Sequence, residues 1–188
     1  MPFFFESFPT INYDLKKNNK LEVLTNVTVR AKLHDSLFNR TNIFYDYDVK
    51  DGERPDVVAY KYYGDASLDW VILLSNNIIN PNYEWPLDTA SFNRFLRKKY
   101  GSVDAARNQV HHYEKILRPQ SVQFDGTVIE EKTVWVDLDT YNTLDPDNRK
   151  VIYSYDYENT LNEEKSRIKI LDKRYITRVV NEIDAIFE

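Results

Sequence analysis

A chain of 188 residues, 42% hydrophobic and 14% aromatic, is long enough for one domain with extensions and apolar enough for a packed core, which excludes global disorder. Its formal charge of −5, from 25 Lys+Arg against 30 Asp+Glu, excludes nucleic-acid binding through a bulk excess of cations. With no cysteine there is no disulfide framework, thiolate zinc site or cysteine nucleophile, and glycines at 52, 64, 101 and 126 are too scattered to cradle a phosphate.

The opening "MPFFFESFP" lacks the basic n-region of a signal peptide, and no apolar run approaches the ~20 residues of a membrane span. The sequons Asn26-Val-Thr28 and Asn39-Arg-Thr41 are then coincidental. These features describe a soluble protein made in a reducing compartment, with no membrane partner. Residues 1–20 show no clear periodicity and end in the polar "KKNNK". Residues 1–41 therefore read as an N-terminal arm, whose apolar "FFFESFP" is expected to order only on a partner.

Residues 42–88 carry the densest signals. "NIFYDYDV" (42–49) alternates as a strand does. In "GERPDVVAYKYYG", Pro55 suits the first turn of a helix and Gly64 its left-handed end. Ser67 is placed to cap a second helix running to about Ser75, with Asn76-Asn77 as its exit. That helix carries Leu68, Trp70, Val71, Ile72, Leu73 and Leu74 on every side, and a helix apolar all round is buried on both sides. Its covers are the first helix and strands on one side and, on the other, either residues 102–188 or a second protein. A sugar platform built on Trp70 and Trp85 ranks below both. "NPNYEWPL" then reads as a turn leading into an extended piece.

Residues 89–188 begin with a helix over 89–101, capped near Asp88 or Thr89 and stopped by Gly101, with Arg94, Arg97, Lys98 and Lys99 on its solvated face. A short helical piece follows over 102–108. From 112 to 157 "TVIEEKTVWVDLDTY" and "KVIYSYDY" alternate as strands around the turn "DPDN", and "SRIKIL" (166–171) is another strand. Residues 174–187 place Ile176, Val179, Val180, Ile183 and Phe187 on one stripe of a docking helix. The fold class is α+β, without Rossmann-like alternation.

Chemistry is sparse. His111, His112 and Glu114 are the only cluster resembling metal ligands, but adjacent histidines on a strand point to opposite faces. "DLDTYNTLDPDN" lacks the glycine and closing glutamate of a calcium loop, and no nucleophile elbow or paired-carboxylate motif stands out. No catalytic residue, metal or cofactor is assigned. Fourteen tyrosines and ten phenylalanines favour interfaces, although they fill sheet faces equally well.

Two resemblances organise these readings. Asp51-Gly52, the run from Val58 to Gly64, Leu68, Leu74, Asn76-Asn77 and Asn80-Pro81 are similar to a LysM (lysin motif) module. This implies a small LysM-like βααβ module embedded in a mixed strand and helix chain with a C-terminal amphipathic helix. "YEWPL" replaces the closing strand of sugar-binding modules, which argues against glycan binding. The longer stretch from "YDYDVKDGERPDVV" to "NYEWPL", together with "NEEKSRIKILDKRYITRVVNEIDAIFE", resembles the baseplate wedge protein 53 family of contractile-tailed, T-even-type bacteriophages, with Arg54-Pro55 and Trp70 included. The resemblance implies a non-enzymatic subunit of the virion tail baseplate, made in the host cytoplasm, that joins neighbouring wedge subunits during assembly. Its partners would be other baseplate wedge proteins and, as a further option, copies of itself in adjacent wedges. Since arginine and aromatic residues anchor interfaces, Arg54, Tyr83, Trp85 and Pro86 are the candidate contacts, or else they serve the module's own turn. The alternative function is a peptidoglycan- or chitin-binding module of a cell-wall-associated protein.

Overall fold

The computed structural model describes residues 8–30 and 43–187, with side chains to residue 182. In chain order come strands β1 (Thr10–Tyr13), β2 (Glu22–Thr25) and β3 (Phe44–Asp48), then helices α1 (Pro55–Tyr63), α2 (Asp69–Ser75), α3 (Pro81–Glu84), α4 (Thr89–Tyr100) and α5 (Val103–Asn108). Next are β4 (Val110–Arg118), β5 (Ser121–Val122), β6 (Val128–Ile129), β7 (Lys132–Val136), α6 (Leu138–Thr143) and β8 (Arg149–Tyr153). The last are α7 (Ser154–Ser166), β9 (Arg167–Leu171) and α8 (Ile176–Phe187). All strand pairs are antiparallel, and the fold is α+β. Two compact units result, Met1–Pro86 with Lys165–Glu188, and Leu87–Glu164.

In the first unit β3 pairs with β9, Phe44 opposite Leu171 and Tyr47 opposite Ile168. Helix α1 starts at Pro55 and ends at Gly64, whose φ of +83° lets its N–H reach the Tyr60 carbonyl at 2.9 Å. The next cap is Asp65 rather than Ser67: its carboxylate accepts from the Ser67 N–H (2.9 Å) and hydroxyl (2.8 Å), opening a 3₁₀ turn over Ala66–Leu68 before α2. Asn77, at φ +57°, provides the left-handed exit.

The all-apolar helix is covered by its own chain. Leu68, Trp70, Val71 and Ile72 are buried, and Leu73 and Leu74 are partly buried, in one core with Val58 and Ala59 of α1, Ile168, Ile170 and Leu171 of β9, and Ile176 and Val179 of α8. Of the two covers considered from sequence, the downstream segment is the one used. Asn76 seals the outer edge of β9: its amide donates to the Lys169 carbonyl (2.8 Å) and accepts from the Lys169 N–H (2.7 Å), as a neighbouring strand would.

The contiguous βααβ module does not close. After α2 the chain makes the single turn α3, capped by Asn80, and residues 85–88 form no strand. The strand beside β3 is β9, and Asp172, the residue directly after it, follows Tyr45 by 127 residues. Residues 10–25 form the hairpin β1–β2 with Ile11 opposite Leu24, its first strand lying in the stretch 1–20 that shows no clear periodicity. The arm "FFFESFP" lies largely outside the described residues, as do residues 31–41; Phe8 is buried.

In the second unit Asp88 caps α4 and Ser102 caps α5, and Phe92, Leu96 and Ala106 form its core. Strands β7, β4 and β8 form a three-stranded sheet. Two pieces read as strands are helical. Asp137 accepts from the Thr140 N–H (3.0 Å) and starts α6, and "SYDY" opens α7, where Tyr155 meets Phe92 edge-on at 5.9 Å. Lys99, expected on a solvated face, reaches the buried Glu158 at 2.5 Å, and that carboxylate also accepts from the Tyr100 hydroxyl at 2.8 Å.

Ile72 is fully enclosed. Ile72→Ala should cost about 2–5 kcal/mol by denaturant unfolding, whereas Leu161→Ala, at a more exposed position, should cost well under half of that.

Candidate protein interface

The segment carrying the four candidate contacts is built around Glu53. The Asp51-Gly52 turn, with Gly52 at φ +75°, delivers this residue to the start of α1 with its carboxylate buried. The carboxylate accepts from the Lys50 N–H (2.9 Å), the Tyr47 hydroxyl (2.8 Å) and the Lys61 ammonium. Burial alone would raise the Glu53 carboxyl, but the hydrogen bonds from Lys61, the Lys50 N–H and Tyr47 outweigh it and hold the group below its usual range. The Tyr47 phenol is pushed up to about 12 by burial and by its bond to Glu53. The Glu53 carbonyl accepts the indole N–H of Trp85 at 2.7 Å, tying the β3–α1 turn to the stretch after α3.

That tie decides where the candidates lie. Trp85 is 7% exposed and belongs to the core, and Pro86 is partly buried. Arg54, next to Glu53, is exposed at the N-cap of α1, its guanidinium folded onto Asp56 (Nε 3.0 Å, Nη2 2.7 Å). Tyr83, two residues before Trp85, is 76% exposed, and its carbonyl accepts from Lys165 Nζ at 2.8 Å. The turn presenting Tyr83 is clamped from both ends. Asn80 accepts from the Asn82 N–H (3.1 Å), and Glu84 reaches back to the N–H groups of Ile79 (2.6 Å) and Asn80 (2.7 Å). The two exposed candidates are thus held by one buried indole.

A second surface was missed from sequence. Asp172 accepts from the N–H (2.9 Å), Nε (3.0 Å) and Nη2 (2.7 Å) of Arg174 and from the Tyr45 hydroxyl (2.9 Å). The Arg174 bonds hold its carboxyl well below the usual range. Beside it, Tyr45 and Tyr62 lie 6.4 Å apart and Lys173 stands over the Tyr62 ring at 5.1 Å. The alternation of "FYDYD" puts Tyr45 and Tyr47 on one face; Tyr47 finds Glu53 six residues on, whereas the acceptor for Tyr45, Asp172, comes only 127 residues later.

The adjacent histidines do meet, against expectation. A register shift between Val110 and His112 in the β4–β8 pairing breaks the strict alternation, and the two Nδ1 atoms come within 2.8 Å. His111 stacks on Tyr157 (3.8 Å), His112 stacks on Trp135 (4.0 Å), and His112 Nε2 lies 3.0 Å from Glu114. One Nδ1 donates and the other accepts, so the contact tolerates one charged ring and not two. Burial, then the neighbouring His112, hold the His111 imidazole below its usual value. Among the described residues no three His, Asp or Glu side chains are grouped to hold a metal ion. Trp70 and Trp85 are both buried and offer no ring face to a sugar, which removes the sugar platform.

A family model described as base plate wedge protein 53 matches residues 3–186. The chain belongs to that family. It is 26% identical over 191 residues to the baseplate wedge protein gp53 of Enterobacteria phage T4, covering 98% of this chain and 95% of the relative. The protein is a structural component of a phage tail baseplate wedge, and its place is the virion tail. No helix among the described residues is long and apolar enough to cross a membrane.

The Asp172 contacts carry a pH signature. With the carboxyl held below its unfolded value near 3.9, its stabilisation is present above about pH 4 and is lost as pH falls through the folded value. Asp172→Asn should lower Tm at pH 7, and circular dichroism melts should show the gap from the parent closing steadily below about pH 4.

Proposed function

We propose that the protein acts without catalysis, joining neighbouring wedge subunits during tail assembly, with Arg54 and Tyr83 in the contact and Trp85 and Pro86 fixing their positions. The observation that carries this reading is the Trp85–Glu53 hydrogen bond. It places an exposed arginine and an exposed tyrosine, two residue types that anchor interfaces, on backbone that is already ordered. The partners are other baseplate wedge proteins, with copies of the same chain in adjacent wedges as a second class. Synthesis is in the host cytoplasm, since a cysteine-free chain needs no oxidising compartment.

The test is size exclusion with light scattering on this protein mixed with the other wedge subunits of the same phage. A discrete complex of higher mass is expected. Arg54→Glu and Tyr83→Ala should each weaken it about thirtyfold, the ~2 kcal/mol of an interface hot spot, while leaving Tm unchanged. Trp85→Ala should instead destabilise the fold by about 3–5 kcal/mol, which separates positioning from contact. Elution of the protein alone in every mixture would sink the reading.

A further inference from the structure

The proposed wedge contact makes no use of the paired histidines of β4, yet their protons are closely specified. His112 Nε2 faces a Glu114 oxygen at 3.0 Å, in a pair whose side chains are only 10% and 13% exposed. A carboxylate can only accept, so the hydrogen sits on Nε2 and, in the neutral ring, leaves Nδ1 of His112 bare. The Nδ1 of His111, 2.8 Å away, therefore donates to it, and the Nε2 of His111 is left as the acceptor for the next proton.

Glu114, His112 and His111 thus form a chain of hydrogen bonds. A first proton taken up at His111 Nε2 keeps this chain intact. Its charge either stays on His111 or passes through the shared bond to His112, where Glu114 and the Trp135 face, stacked at 4.0 Å, favour it. In both forms one Nδ1 remains bare. A second proton ends that. Both Nδ1 atoms then carry hydrogen, and two charged rings face each other with centroids 5.0 Å apart.

The other charged groups nearby do not relieve the repulsion. Glu158 of α7 favours charge on His111 but is already taken by Lys99 and Tyr100, and Lys99 of α4 opposes it. Lys150 of β8 stands opposite Glu114 in the register, but its ammonium is paired with Glu131 at 2.8 Å. Trp135 of β7 and Tyr157 of α7 contribute rings only. The surrounding structure is anchored elsewhere, since the Ser154 N–H donates to the Gln109 carbonyl (2.8 Å) and Tyr155 packs on Phe92. His111 is exposed, so its ring has water to turn into. We propose that the pair is an acid-operated latch on the aromatic face of Trp135 and Tyr157. With no more than one shared proton the latch is closed. Uptake of the second turns His111 into solvent and breaks its 3.8 Å stack on Tyr157, while the fold around it holds. A face of Tyr157 is then uncovered only in acid, beside a Trp135 that is already exposed.

NMR titration of the full chain from about pH 8 to about pH 4.5, above the range in which the Asp172 contacts are lost, tests this. Three histidines and three tryptophans give few imidazole and indole signals to follow. In the neutral pair His111 should carry its hydrogen on Nδ1 and His112 on Nε2. On acidification His111 should titrate below the ordinary 6.5, and the Trp135 indole and Tyr157 ring signals should shift in that same step. His112→Phe keeps a ring on Trp135 and removes the opposing nitrogen, so the His111 midpoint should rise toward 6.5. His111→Phe keeps a ring on Tyr157 that cannot be charged, so the Tyr157 step should vanish. A parent His111 that titrates at or above 6.5, a midpoint unmoved by His112→Phe, or a Tyr157 step that survives His111→Phe would each overturn the proposal. These readouts need no partner, so they stand or fall apart from the wedge-joining reading.

Discussion

The pairing of Phe44–Asp48 with Arg167–Leu171 is the constraint on which the first unit rests. It brings residues more than a hundred positions apart into one two-stranded sheet, and with them Ile168, Ile170 and Leu171 as the surface against which α2 is buried. Without that strand the apolar run from Leu68 to Leu74 would have α1 on one side and water on the other. Closing so long a loop carries an entropic cost that only the completed core offsets. The first unit therefore cannot reach its packed state until residue 171 has been made, and its cooperativity is that of a sheet joining two distant segments.

Three buried carboxylates secure the two units by one device. Glu53 takes Lys61 and the Tyr47 hydroxyl, Asp172 takes Arg174 and the Tyr45 hydroxyl, and Glu158 takes Lys99 and the Tyr100 hydroxyl. A buried carboxylate left bare would be costly, and a cation plus a phenol satisfies it while fixing the angle of approach. This changes the meaning of the tyrosine count. A content that suggests interfaces is partly occupied by internal donors, since Tyr63 likewise donates to the Leu171 carbonyl at 3.0 Å.

What the sequence made legible was local. Pro55 and Gly64 bracket α1, Asp88 and Gly101 bracket α4, and the β-branched run of "SRIKIL" marks β9, because caps, turns and alternation act within a few residues. What it hid was decided at a distance. "SYDY" alternates like a strand, yet Tyr155 and Tyr157 find Phe92 and His111 only from a helix. The departure at "YEWPL" was legible, but the strand that takes the closing position was not, since it lies at the far end of the chain. The histidine pair failed a rule that holds for regular strands, and a one-residue register shift is invisible to composition. Of the four contact candidates, residue type alone picked Arg54 and Tyr83 on the surface. It could not tell that Trp85 would be turned inward by a backbone carbonyl.

The internal position of Trp85 matters for an assembly protein. A subunit that must find several neighbours loses affinity for every side chain and loop it has to order on contact. Here Arg54 stands at the cap of a helix and Tyr83 on a turn clamped by Asn80 and Glu84, and the Trp85–Glu53 bond locks the two supports together. With Arg54 and Tyr83 as the proposed contacts, the backbone that carries them is held by these bonds, so the ordering left to a partner would fall on the two side chains. Burial of the largest aromatic in the segment is therefore compatible with a role at an interface, exercised through the geometry of its exposed neighbours.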